Sequence, residues 1–489
     1  MLRYSYGYFC NRINQKIARN VKMSNQEINW KEEVKKYQDD FLADLKEVLK
    51  IDSVRNDDEA TDEFPVGPGP AKALHKALEI ADRDGFTTKQ VENWAGHIEY
   101  GSGDETLGIL GHMDVVPVGS GWETDPFDPV IKDGKLYARG ASDDKGPALA
   151  AYYALKIIKD LGLPVNKRIR LILGTDEESE WQGVHRYLEV EDTPDFGFSP
   201  DGNFPIINGE KGQYEFDIET DADNTGDISL ISFEAGLRKN MVPQDATAKL
   251  EAEDPEPIRD QFDDFFKDKP VKANAEIDDK TLSFAVEGKA AHGSKPDAGV
   301  NAATYLASFL NTQALDGGAK QFVNVIDTYL HEDPYGEKLD IAQDNEVMGR
   351  LTSNPGIFRF EEGDKGLITL DIRYATGDDE SLTNLITEAL LGEEVTLKVK
   401  EGRVPHYVPG EDPLVKTLLD VYGRQTGLEA HEKVIGGGTY GRLFERGVAF
   451  GALFPDSTDT MHQANEFITV DDLMAAMAIY AEAIYELVK

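Results

Sequence analysis

The stretch Gly111-His112-Met113-Asp114-Val115-Val116-Pro117 constrains this chain more than any other. It follows an apolar run, Leu107 to Leu110, of the length expected for a buried strand. A histidine and a carboxylate two positions apart at a strand end project from the sheet edge, where open α/β sheets keep their sites. A histidine there also serves as a plain polar terminus, so other parts of the chain must decide between terminus and metal ligand.

Those parts read as alternating strands and helices. From Trp30 to Ile51, Val34, Tyr37, Phe41, Leu45 and Leu49 recur at three- and four-residue steps, which predicts a helix. Residues 52–70 read as a loop ending in Pro65-Val66-Gly67-Pro68-Gly69-Pro70, and Ala71 to Asp84 as a second helix closed by Gly85. Short strands are expected near 89–92 and 98–100. Asp133-Gly134 signals a hairpin. Pro147 sits in the first turn of an apolar helix that runs to Leu161 and ends at Gly162. The strand Arg168 to Leu173 runs into Thr175-Asp176-Glu177-Glu178, and a strand-like piece from Phe196 ends at Pro200-Asp201-Gly202.

Around Gly209 the pattern changes. Residues 213–290 and 364–375 alternate polar and apolar, as antiparallel strands with one wet face do, with helices near 257–267 and 299–312. From Pro413 the first style returns: a helix to Gly427, the turn Gly436-Gly437-Gly438-Thr439-Tyr440, a strand from Val448 to Phe454, and a helix from Val470 to Val488. An α/β fold follows, in two parts, 23–209 and 405–489, interrupted by an inserted α+β domain over 210–404.

With 489 residues there is material for more than one core. Ninety-one acids against 51 bases give a net charge of -40, which repels nucleic acid and anionic membranes. The one cysteine, Cys10, excludes a disulfide framework and a thiolate metal site, so any metal must be held by His, Asp and Glu. No run reaches the roughly 20 apolar residues of a membrane span. Residues 1–22 carry Arg3, Arg12, Lys16, Arg19 and Lys22 and no acid, with no apolar segment of a secretory signal. They suit a transit peptide in composition, but are expected to be an extension, disordered or preceding a true start at Met23. Without signal or disulfides, the expected location is cytoplasmic.

Five candidate ligands lie outside the insertion: His112, Asp143, Glu178, Asp201 and His462, each near the end of a strand-like segment. Singly, each also reads as a cap or loop residue. Together they supply two imidazoles and three carboxylates, a donor set suited to a dinuclear zinc, cobalt or manganese site. Glu177, beside Glu178, is placed to act as a general base, and Asp114 to orient the outer ring nitrogen of His112. Within the insertion, His292 in Ala290-Ala291-His292-Gly293-Ser294 and Arg373 on an alternating strand stand out, though both also read as exposed loop and strand residues.

At this point the chain resembles the M20 family of dinuclear zinc peptidases, most of all the PepV-type (Xaa-His or carnosinase-like) dipeptidases. The resemblance rests on Gly-His-Met-Asp-Val-Val-Pro, Arg-Gly-Ala-Ser-Asp-Asp-Lys-Gly, Asp-Glu-Glu, Ser-Pro-Asp-Gly and the late Met-His, and runs from about residue 24. It implies a zinc-peptidase catalytic domain with a mixed central sheet flanked by helices, and an inserted lid. By that resemblance His112 and Asp201 hold one zinc, Glu178 and His462 a second, and Asp143 bridges them, followed by a cis peptide to Asp144. Glu177 is then the general base, and Asp114 the residue that orients a ligand. The lid's His292 stabilises the oxyanion, Asn240 faces substrate, and Arg373 binds the substrate carboxylate with backbone N–H groups near Gly437 and Gly438. A long lid implies a monomer acting on small unblocked dipeptides. The alternatives on the same site are an aminoacylase, a deacetylase or a carboxypeptidase, and, in another class, a metal-binding protein without catalysis.

Overall fold

A computed structural model describes residues 28–400 and 402–489; the extension expected at 1–22 lies outside them. By contacts the chain divides into two units. One holds the residues up to Asn208 with Val408–Lys433 and Thr439–Lys489, and the other holds Gly209–Tyr407 with Val434–Gly438.

The first unit is built on a six-stranded mixed sheet in the order Thr87–Val91, Ala95–Gly101, Arg168–Gly174, Thr106–His112, Phe196–Ser199, Gly447–Ala449. The first two strands pair antiparallel with their neighbours, and the last four are parallel. Side chains alternate across it. Leu107, Ile109, Ile169 and Leu171 enter a large core with the helices Gln38–Leu49, Pro68–Arg83, Lys145–Asp160, Pro413–Thr426 and Val470–Val488. Leu110 and Ile172 enter a smaller cluster with Trp181, Val184, Tyr187, Tyr440 and Phe444. Both faces are thus covered, which suits the apolar, non-alternating runs of the parallel strands. The Gly108–Gly197 pair brings two of these strands together so closely that a side chain on Gly197 would overlap the Gly108 carbonyl.

Several boundaries differ from expectation. The helix expected over 30–51 is two, Trp30–Lys35 and Gln38–Leu49; the apolar spacing continues through the intervening turn and so hides it. The loop expected to reach residue 70 ends at Gly67, because Pro68 and Pro70 occupy the first helical turn, where a missing N–H costs no hydrogen bond. The strand expected over 448–454 is confined to Gly447–Ala449. The helices Gln182–Val190, Gly317–Val325 and Asp379–Ala389 were not anticipated.

The second unit carries an eight-stranded antiparallel sheet in the order Lys272–Asp278, Thr281–Glu287, Asp245–Ala252, Ile228–Ala235, Thr352–Glu361, Lys365–Tyr374, Gly212–Asp221, Thr396–Val399. Asp245–Ala252 alternates exposed and buried residues along its whole length. The buried side joins the helices Glu256–Phe266, Ala302–Asn311 and Gly317–Val325 in one core. Among the described residues no helix is long and apolar enough to cross a membrane.

His97 gives the first unit a pH dependence. Its Nδ1 lies 2.7 Å from the Tyr187 hydroxyl. Burial, reinforced by Arg170, pulls its pKa down from 6.5 to about 4. The unfolded chain therefore takes up a proton near pH 6.5 that the folded chain refuses until about pH 4, and stability is lost as pH falls through that window. Urea denaturation should show wild type losing about 3 kcal/mol more than His97→Gln between pH 7 and pH 4.

Candidate functional site

The parallel strands of the first unit end at one edge, and the loops there deliver all five candidate ligands. His112 closes its strand and is fully buried. Its Nδ1 donates to the main-chain carbonyl of Asp114 at 3.0 Å, nearer than the Asp114 carboxylate at 3.5 Å. That fixes the tautomer and leaves Nε2 as the ligand nitrogen, 3.0 Å from Asp143 Oδ1 and 3.7 Å from Asp201 Oδ2. The other carboxylate oxygen of Asp143 lies 2.9 Å from His462 Nε2, which in turn is 3.2 Å from Glu178 Oε2. Two triads result, His112–Asp143–Asp201 and Asp143–Glu178–His462, and they share Asp143. The Asp143–Asp144 peptide is cis.

Supporting groups hold these loops. The Asp114 carboxylate accepts the main-chain N–H groups of Glu177 and Glu178, one on each oxygen at 3.1 Å. One side chain thus sets the backbone that presents both acids. Asp144 Oδ2 accepts the His112 N–H at 3.1 Å. Glu466, fully buried, accepts N–H groups from Gly140, Ser142 and Asp143 and pairs with Arg139 Nη1 at 2.7 Å. It lies four residues beyond His462 and so ties that loop to the one carrying Asp143. Sequence reasoning missed Glu466; its one hint was Arg139, a cation that needs a partner if buried.

The electrostatics are those of too many acids in a small, largely buried space. Burial, then repulsion from Asp143, pushes Asp201 up to about 7. Burial also pushes Glu177 well above the usual carboxylate range. Asp143 is likewise buried, but hydrogen bonds from His112 and His462 outweigh burial and hold its pKa low. Hydrogen bonds to Asp143 and Glu178 raise His462 to about 10. A divalent cation fits this donor set, hard oxygens and imidazole nitrogens without sulfur. It also fits Glu178 Oε1, a buried oxygen without a hydrogen-bond donor.

The remaining candidates belong to the second unit. His292 Nδ1 accepts the Ser294 N–H at 3.1 Å and lies 2.8 Å from the Ser294 hydroxyl. The neutral ring therefore carries its proton on Nε2, free to donate. Burial and nearby Arg373 keep its pKa below the ordinary value. Asn240 lies on a turn whose carbonyl accepts the Gly293 N–H at 2.7 Å. Arg373 is buried rather than exposed; it donates to the Gly436 carbonyl at 2.9 Å and to Asp371 Oδ2 at 2.8 Å. Gly437 and Gly438 follow Gly436 in the same turn.

Residues 108–486 match the family described as peptidase family M20/M25/M40. The chain is 46% identical over 468 residues to a Beta-Ala-Xaa dipeptidase of Lactobacillus delbrueckii subsp. lactis, covering 95% of this chain and 99% of that one. It is 44% identical over 465 residues to a putative dipeptidase of Staphylococcus saprophyticus, covering 94% and 99%. Among solved structures it resembles human carnosine dipeptidase 1 (TM-score 0.53, 17% identity, 94% and 98% covered). It also resembles an aminoacylhistidine dipeptidase of Vibrio alginolyticus (TM-score 0.55, 14% identity, 91% and 97% covered). These two likenesses establish the fold.

Cation binding should be visible as stability. Zinc at a hundred times its Kd should add about 2.7 kcal/mol per site to the unfolding free energy. Asp143→Ala, which removes a ligand from both triads, should lose most of that gain. Thermal denaturation of chelated and zinc-loaded protein measures both effects.

Proposed function

This chain belongs to peptidase family M20/M25/M40, a family of hydrolases, and from that premise we propose that it is a zinc-dependent dipeptidase acting on unblocked dipeptides. The observation that carries the reading is the pair of triads sharing Asp143, with a further acid, Glu177, next to the ligand Glu178. The names of the relatives at 46% and 44% identity support the substrate class.

His112 and Asp201 would hold one cation, Glu178 and His462 the other, and Asp143 would serve both. When bound, the cations polarise the scissile carbonyl and make water acidic enough to be deprotonated near neutral pH. Glu177 takes the proton of the attacking water and passes it to the leaving nitrogen, so the amide and one water become an acid and an amine. Its main chain is pinned by Asp114, so the carboxylate starts from a fixed backbone. His292, with Nδ1 occupied by Ser294, offers its Nε2–H to the oxyanion. Arg373 receives the substrate carboxylate, helped by N–H groups at Gly437 and Gly438, and Asn240 faces the substrate. We read the active form as a cytoplasmic monomer, in keeping with the long lid and single cysteine.

Hydrolysis of alanyl-alanine, its N-acetyl derivative and trialanine by zinc-loaded protein tests the reading. The free dipeptide should be the preferred substrate, and Glu177→Gln should lower its turnover by about 10²- to 10⁴-fold. Preference for the acetylated compound would make the protein a deacylase. Absence of turnover on all three, with zinc bound, would refute catalysis.

A further inference from the structure

Four buried polar atoms of the second unit lack a hydrogen-bond partner within one small patch: Thr352 Oγ1, Asn354 Oδ1, Asp371 Oδ1 and Arg373 Nε. Their residues are direct cross-strand neighbours, Thr352 opposite Arg373 and Asn354 opposite Asp371. Positions two apart on paired strands face the same side, so the four form one block of side chains. None is more than 6% exposed.

Three turns converge on this block. Asn354 Nδ2 donates to the carbonyls of Lys239 and Met241, at 2.8 and 3.1 Å, and so brackets Asn240. Asp371 lies against the His292 turn: a Cβ placed on Gly293 would stand 3.0 Å from Asp371 Oδ2. Arg373 Nη1 holds the Gly436 carbonyl.

The pairing of Arg373 with Asp371 is one-sided. Only Nη2 and Oδ2 meet, at 2.8 Å, while Asp371 Oδ1 and Arg373 Nε stay without partners. A guanidinium has five N–H donors in a planar fork, and it usually closes on a carboxylate with two parallel bonds. Here the fork is held at two corners and left open along the rest. The counter-charge keeps the buried cation tolerable and its plane fixed, and an unpaired N–H remains for a ligand to satisfy. A group prepared in this way discriminates strongly against a ligand lacking the matching acceptor.

We propose that Asp371 is a positioning residue that acts through Arg373 to impose a free-carboxylate requirement on the substrate, with Asn354 locking the Asn240 turn to the same block. The inference rests on the carboxylate-receiving role given to Arg373 above. It adds that the specificity depends on the pair, so that an arginine without Asp371 selects the acid much more weakly.

The test compares kcat/KM for alanyl-alanine and alanyl-alaninamide in the zinc-loaded full chain, for wild type, Asp371→Asn, Arg373→Ala and the double variant. Wild type should favour the acid strongly. Arg373→Ala should abolish most of that preference, and Asp371→Asn should cut it by roughly tenfold or more, mainly through KM. The double variant should match Arg373→Ala. Should the asparagine variant not fold, Asp371→Glu, which keeps the charge but displaces it by one methylene, gives the same comparison. An equal loss on acid and amide in the Asp371 variant, or additive losses in the double variant, would overturn the proposal while leaving Arg373 its role. An Arg373→Ala protein that still prefers the acid as wild type does would overturn the role of Arg373 and the proposal with it.

Discussion

Asp143 presents one carboxylate oxygen to His112 and the other to His462, and each histidine meets a further acid, Asp201 or Glu178. Glu177 and Asp144 are close by in the chain. Carboxylates gathered in a largely buried space repel one another. Burial first, and repulsion from the neighbouring carboxylates after it, raise the pKa values of Asp201 and Glu177. Two divalent ions would offset that repulsion, with the histidines in the neutral form that binds metal. A shared carboxylate would let two ions be held with five side chains.

Such a cluster needs a rigid setting, since a displacement of about 1 Å at a catalytic group costs much of the rate. The fold supplies it through strand ends and a few carboxylates that bond only to backbone or to buried partners. Asp114 fixes the turn of Glu177 and Glu178, and Glu466 fixes the loop of Asp143. Burying an unpaired carboxylate would be strongly unfavourable, but Glu466 has three main-chain donors and Arg139 to satisfy it. A similar division recurs in the second unit, where Asp371 and Asn354 support the residues given substrate roles without being candidates themselves.

The five candidates that the structure brings together could be picked out because their chemistry is local. His112, Glu178 and Asp201 lie at or within a few residues of a strand end, and Asp143 and His462 stand in polar loops whose histidines and acids are themselves the signal. Glu466 was not legible: its partner Arg139 is 327 positions away, and nothing around Asn465-Glu466-Phe467 marks the acid as buried. Arg373 was open to misreading for a related reason. Period-two alternation predicts a wet face, but Lys365–Tyr374 lies between two other strands and is buried continuously from Ile368 onward, so its polar residues are interior too. The helix Gly317–Val325 opens with two glycines, poor helix formers, and stands because Asp316 caps it and the core holds it. Helix 182–190 begins after Trp181 in a left-handed conformation that no local signal announces.

Two triads sharing Asp143 would hold two cations at once, and the most direct measurement is the number of zinc ions retained per chain after loading and gel filtration, determined by elemental analysis. Two ions in the wild type, falling to one in Glu178→Ala, are expected. One ion in the wild type, unchanged by Glu178→Ala, would contradict the shared-carboxylate centre.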